Sequence, residues 1–491
     1  MKHKRIMCVL ALTMAASLML SIAACNTVNN VTSDDTSSAI SVQSVNEDGI
    51  SNYNDGEHAI EVSGKTEEYS NVTVTKTGSS SSGDEADFYG DNAAIFATEK
   101  ATLTLKNITV NTDGTHANAV FSYGEGTTVN ISDSTITTSG NCSGGLMTTG
   151  GGTMNATNLN IHTTGNSSAA IRSDRGGGTV TVDGGTYKTE GTGSPAVYST
   201  ANITVSSATL ESTASEGIVV EGKNSVTLNN VNLTADHNNH NSDKTDNFNA
   251  VMIYQSMSGD ASVGLAEFTM TGGSLTNKTG DVFFVNNTTA NITIEGVTIV
   301  NNDADDVFLR AAAAGWGTSG SNGGKVNLYL KKQTLTGDTV VDSVSQLNMY
   351  LSSGTTYTGA VNSENKGEVY VEIESGSKWV LSGDSYVTSL TCDADAIDLN
   401  GHTLYVGGKK YSAGTSSKGT AIEIKTESSS GGQQDGMPGN PPSGEKPQGD
   451  PPSGGPGGNG EKPQGDPPSG DPPSGAPGGN GEEPPAKPDS N

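Results

Sequence analysis

An eight-residue pattern recurs nine times between residues 103 and 335, and it limits the chain to a stacked architecture. It reads apolar, polar, apolar, any residue, Asn/Asp/Gly, any residue, Thr/Asn/Ser, apolar; the copy ITIEGVTI at Ile292–Ile299 shows it plainly. The copies begin at Leu103, Val129, Met154, Val180, Ile203, Val226, Phe268, Ile292 and Leu328. Positions one and three share one face of a strand, because side chains alternate with period two. Position five is a bend, where Asn, Asp and Gly tolerate positive φ. It is held by Asn107, Asp133, Asn158, Gly184, Asn230, Gly272 and Gly296, with only Ser207 and Lys332 departing. Positions six and eight face inward again on a second strand. A single copy buries almost nothing, whereas nine stacked copies make a continuous core.

A third strand precedes each octet, starting at Ile95, Val120, Leu146, Ile171, Val197, Ile218, Val251, Val282, Val307 and Val340. Three short strands per coil of about 25 residues predict an all-β fold, a single-stranded right-handed parallel β-helix, over residues 56–426. A repeat of this length overrides the prior of several domains of about 150 residues each. Aromatic residues make up only 5% of the chain, in keeping with a slender core built from ladders.

The flanks read differently. Residues 1–25 form a secretory leader, with Lys2, Lys4 and Arg5 ahead of an apolar run. Its end, Ile22-Ala23-Ala24-Cys25, resembles a bacterial lipobox. That resemblance implies lipid attachment at Cys25 and an outward-facing anchor on the cell membrane. Residues 26–55 are polar and aperiodic, as in a flexible tether. Residues 427–491 hold sixteen of the seventeen prolines and repeat EKPQGDPPSG, which predicts a disordered, polyproline-leaning tail. Cys142 and Cys392 lie many rungs apart, so no disulfide between them is expected. The net charge of −28 argues against nucleic acid as a partner.

The β-helix and its rungs resemble the pectate-lyase-like superfamily. Residues 378–406 are similar to the terminal rungs of passenger-type bacterial adhesins, and the tail resembles those of surface β-helix lipoproteins that bind polysaccharide. These resemblances imply a carbohydrate-binding or adhesin-like surface protein, whose partner is an extracellular polysaccharide or a host or cell-surface glycan. A calcium-dependent lyase or hydrolase and a wall-spanning spacer are the other readings. No diagnostic catalytic motif is present.

Two features point to a site. Residues after the third-strand start positions (Phe96, Phe121, Met147, Arg172, Tyr198, Val219, Met252, Phe283 and Phe308) form an apolar stripe. If the start positions point inward, this stripe faces out as a binding surface. The reverse phase would bury Arg172, Asp281 and Asp306, which is costly. Connections to the octet are also long in two rungs, Val251 to Phe268 and Val307 to Leu328, so the two loops should wall a cleft. Trp316 sits between two glycines on the second loop and offers a flat face to a sugar ring. Trp316, Arg310, Tyr254, Phe283 and Phe308 are therefore the candidate ligand-binding residues, with Arg310 a weak candidate base by analogy with the lyases. Asp281, Asp303, Asp305 and Asp306 form a carboxylate cluster suited to Ca²⁺. His237, His240, Asp243 and Asp246 give a second metal candidate in the insertion 235–249. Outward Thr residues resemble an ice-binding ladder, but His162, Lys188 and Glu211 break it.

Overall fold

Each octet is in parallel register with the next. Leu103 pairs with Val129, Val129 with Met154, Met154 with Val180 and Val180 with Ile203. Ile203 pairs with Val226, Val226 with Phe268, Phe268 with Ile292 and Ile292 with Leu328. The column then continues through Met349, Val371 and Leu390, and Glu67 precedes it. The chain is a parallel β-helix. These observations come from a computed structural model describing residues 41–42 and 49–426. The leader, Cys25 and the tail from 427 onward lie outside the described residues. So does most of the expected tether, although Ile50–Asn52 already pairs with Thr73–Lys76.

The bend at position five has one backbone solution throughout. All nine residues there have φ between 50° and 72°, including the two exceptions, Ser207 at 54° and Lys332 at 50°. Stacking enforces the left-handed conformation even where the side chain disfavours it. Another corner depends on glycine for a different reason. A Cβ at Gly140, Gly165 or Gly191 would stand 1.8–1.9 Å from the carbonyl oxygen of the glycine one rung earlier. Those coils touch backbone to backbone, so no side chain fits.

The octet strands build one large sheet, and the preceding strands build an eleven-stranded one from Ile60–Ser63 to Asp338–Val341. Their inward residues merge into one axial core running from Ile60 to Tyr411. At the C-terminal end, Leu404–Val406 folds back on Lys409–Lys410 in an antiparallel pair, which closes the last coil. Cys142 and Cys392 are both free.

The eleven-stranded sheet corrects two expectations. From Phe96 to Met252 the stripe residues do point away from the axial core, yet they are covered. Helix α1 (Asp84–Tyr89) lies over Phe96, Phe121 and Met147, which pack with Ala93 in a separate apolar cluster. Thr149 donates to the Phe88 carbonyl at 2.7 Å, and Tyr89 meets Tyr123 edge-on. Further along, Val219, Met252 and Phe284 are roofed by Ala312, Ala314 and Trp316. The second correction is a slip of register. Val251 aligns with Phe283, and Phe283 with Leu309, so the start positions in those rungs lie beyond Val282 and Val307. Phe283 therefore points into the axial core, and Phe308 joins it there at an irregularity in strand pairing between Val307 and Leu309. Both are fully buried and edge-on to each other at 5.4 Å. They cannot touch a ligand. The outward positions belong to Phe284 and Arg310 instead.

Candidate ligand-binding cleft

Three adjacent strands of the eleven-stranded sheet present Tyr198, Val219, and the pair Met252 and Tyr254 outward. Two long connections rise beside them. Residues 236–248 follow the strand Ser225–Ala235, and residues 312–323 follow Val307–Ala311. The connections meet where Gly315 N–H donates to the Lys244 carbonyl at 2.7 Å. Asn322 fixes the second loop by donating to the carbonyls of Ala314 and Trp316 at 2.7 and 2.8 Å. Between them lies a shallow, open cleft with a cavity volume of about 70 Å³, below the ~300–1,000 Å³ of an enclosing small-molecule pocket. Tyr198, Tyr254, Trp316, Glu216, His237 and Asn241 are among the residues lining it.

Its aromatic side is ordered. Trp316 meets Tyr254 edge-on with ring centroids 5.2 Å apart. Tyr198 and Tyr254 both donate to one oxygen of the buried Glu221 carboxylate, Tyr254 at 3.3 Å, and Ser256 donates to the other. Three hydroxyls thus take the place of water around this charge. Burial, together with the Glu221 carboxylate, holds both phenols well above their ordinary pKa, and Tyr254 raises Tyr198 further, so they remain donors. On the polar side, His240 stacks on Phe248 at 4.0 Å. His237 accepts from the Asn249 N–H at 3.2 Å and lies 3.8 Å from Glu216. Burial, aided by His240 and opposed by Glu216, holds His237 below its ordinary pKa, so it is neutral at pH 7.

The sequence candidates separate on this map. Trp316 and Tyr254 are brought together. The wall facing Trp316 is not the connection from Val251 to Phe268. That loop turns the other way, where its Asp260 pairs with Arg175 at 2.8 Å. Arg310 is committed to Asp281 through two hydrogen bonds of 2.6 and 3.1 Å, which leaves it a structural ion pair in place of a base. Asp306 is not paired with Asp281, because register between the two strands begins only at Phe283 and Leu309. Asp303 accepts from the Gly280 N–H and Asp306 from Asn301, as loop-forming carboxylates do. Among the described residues, neither this cluster nor the His237 insertion gathers three ligand atoms around one point. Sequence reasoning missed Glu221, although strand alignment already set it beside Tyr254.

A second aromatic column stands on the octet sheet, where Tyr329 and Tyr350 stack at 4.9 Å and Tyr350 meets Tyr370 edge-on. Beside it, the last described residues cross back over the sheet, with Asn348 pinning both sides of Ile422. The Trp316 cleft, where two connections meet over the sheet, is the better-formed site. No protein-family model, no curated protein and no solved structure matches the chain.

Proposed function

We propose that this chain is a lipid-anchored, cell-surface β-helix of the pectate-lyase-like kind that binds extracellular polysaccharide in the Trp316 cleft without cleaving it. One observation carries the reading. A half-exposed indole, supported by Tyr254, stands over a cleft that combines an apolar floor of Val219 and Met252 with hydrogen-bonding side chains. Aromatic faces stack on the C–H faces of sugar rings, while Asn241, Ser242, Thr245 and Glu216 suit their hydroxyls. The charge of −28 favours neutral chains over polyuronates. The lipobox ending at Cys25 supplies the anchor and the outward orientation. A lyase or hydrolase draws no support from Arg310, whose guanidinium is occupied by Asp281.

The test is retention of the full chain on a panel of insoluble neutral and acidic polysaccharides, with and without Ca²⁺. Retention on a neutral glycan supports the proposal, and no retention on any glycan overturns it. Release of unsaturated uronides would overturn its non-catalytic part. Cys25→Ala should free the protein into the medium, and continued membrane retention would refute the anchor.

A further inference from the structure

Away from the cleft, three chemically different donors converge beneath helix α1. The stacked corners before Val120 and before Leu146 carry His116 and Cys142, each in the left-handed conformation at 57° and 55°. The helix brings Asp87 over them. Its carboxylate oxygen, the His116 imidazole nitrogen and the Cys142 sulfur all lie within 4.8 Å of one another, and all three residues are half-buried. Among the described residues no other three His, Cys, Asp or Glu side chains meet so closely.

We propose that Asp87, His116 and Cys142 bind a zinc-class divalent ion. Zinc takes sulfur at ~2.3 Å and nitrogen or oxygen at ~2.0–2.2 Å, so a tetrahedral site needs donors about 3.3–3.7 Å apart. Small side-chain movements reach that spacing, since Asp87 and His116 already touch at 2.9 Å. A thiolate with an imidazole selects zinc, cobalt or copper over Ca²⁺ and Mg²⁺. Three protein ligands leave the fourth position to water.

The surroundings suit this charge. The second oxygen of Asp87 faces Arg172 Nη2 at 3.4 Å, and Arg172 also binds Asp174 at 2.7 Å. Arg172 thus supports a ligating carboxylate from behind, as second-shell donors do. A divalent ion is balanced by the Asp87 carboxylate and the Cys142 thiolate, and Arg172 by Asp174. Each rung holds one donor and the helix holds the third, so the ion would pin α1 to the sheet.

The test uses the full chain and Co²⁺ as a spectroscopic substitute for zinc. One equivalent should produce the near-ultraviolet sulfur-to-cobalt band and the visible bands of a tetrahedral site, and Zn²⁺ should displace both. Cys142→Ser should abolish the sulfur band. His116→Asn, which keeps a residue tolerant of positive φ, should weaken binding by more than about 100-fold while circular dichroism stays native. Zn²⁺ should also raise the melting temperature of the parent chain. No sulfur band, or a band that survives Cys142→Ser, overturns the proposal. Undiminished affinity in a folded His116→Asn chain overturns it as well.

Discussion

Trp316 and Tyr254 meet edge-on at 5.2 Å, although one belongs to a loop and the other ends a strand two rungs earlier. The contact exists because Asn322 ties the loop down through two carbonyls, which leaves the indole leaning over the sheet. Behind Tyr254, the Glu221 carboxylate holds the phenol in place. Rigid backing of this kind lowers the ordering cost of binding.

The opposite wall should respond to acid. Burial depresses the pKa of His237, so its neutral form belongs to the folded state. The stability this contributes is present above the unfolded value near 6.5 and is lost as pH falls through the lower, folded value. His237→Asn removes the titration but keeps an acceptor for the Asn249 N–H. Denaturant unfolding should show a gap between parent and variant that shrinks as pH drops below about 6.5. A gap independent of pH would contradict the account.

Arg310→Gln should cost about 2–4 kcal/mol at neutral pH, because it leaves the buried Asp281 without its partner. Burial already holds the Asp281 carboxyl above its usual pKa against the pull of Arg310. In the variant it rises further. A raised carboxyl favours the folded state below its unfolded value near 3.8 and opposes it as pH rises through the folded value. The deficit should therefore be smallest in acid and grow toward neutrality, as read from urea midpoints. An equal deficit at every pH would rule out this pairing as the cause.

Ser207 stands where the repeat otherwise places Asn, Asp or Gly, and it holds φ at 54°. Ser207→Gly should stabilise the chain by about 0.5–1 kcal/mol by relieving a left-handed serine. Chemical denaturation that shows no gain would mean the bend is unstrained.

Gly165→Ala should do the reverse. Its Cβ would lie 1.9 Å from the Gly140 carbonyl oxygen, so adjacent coils must part. A loss of about 1–3 kcal/mol is expected, with proteolysis first appearing at that corner. A variant with parental stability would show that this corner is not close-packed.

The octets were legible in the sequence because their spacing is invariant and period-two alternation leaves one register per copy. The same logic located the outward stripe as far as Met252. It failed at Phe283, where the inward strand starts later than the apolar run, and at Phe308, where pairing is irregular between Val307 and Leu309. A run such as Val282, Phe283, Phe284 and Val285 is apolar at every position and cannot report its own phase. The stripe's cover was hidden for another reason. Residues 84–89 form a helix too short to be stable alone, and six residues carry too little periodicity to announce it. The meeting of Asp87 with His116 and Cys142 depends on that helix and was equally invisible.

Only two tryptophans are present, and Trp379 is fully buried in the core, so fluorescence changes on ligand binding report Trp316. The most direct test of the central claim titrates the full chain with a soluble neutral polysaccharide that retains it, following emission and affinity together. Binding should shift the tryptophan emission, and Trp316→Ala should weaken affinity by at least about tenfold, the loss of ~1.4 kcal/mol or more. Unchanged affinity in Trp316→Ala would contradict the cleft as the binding site.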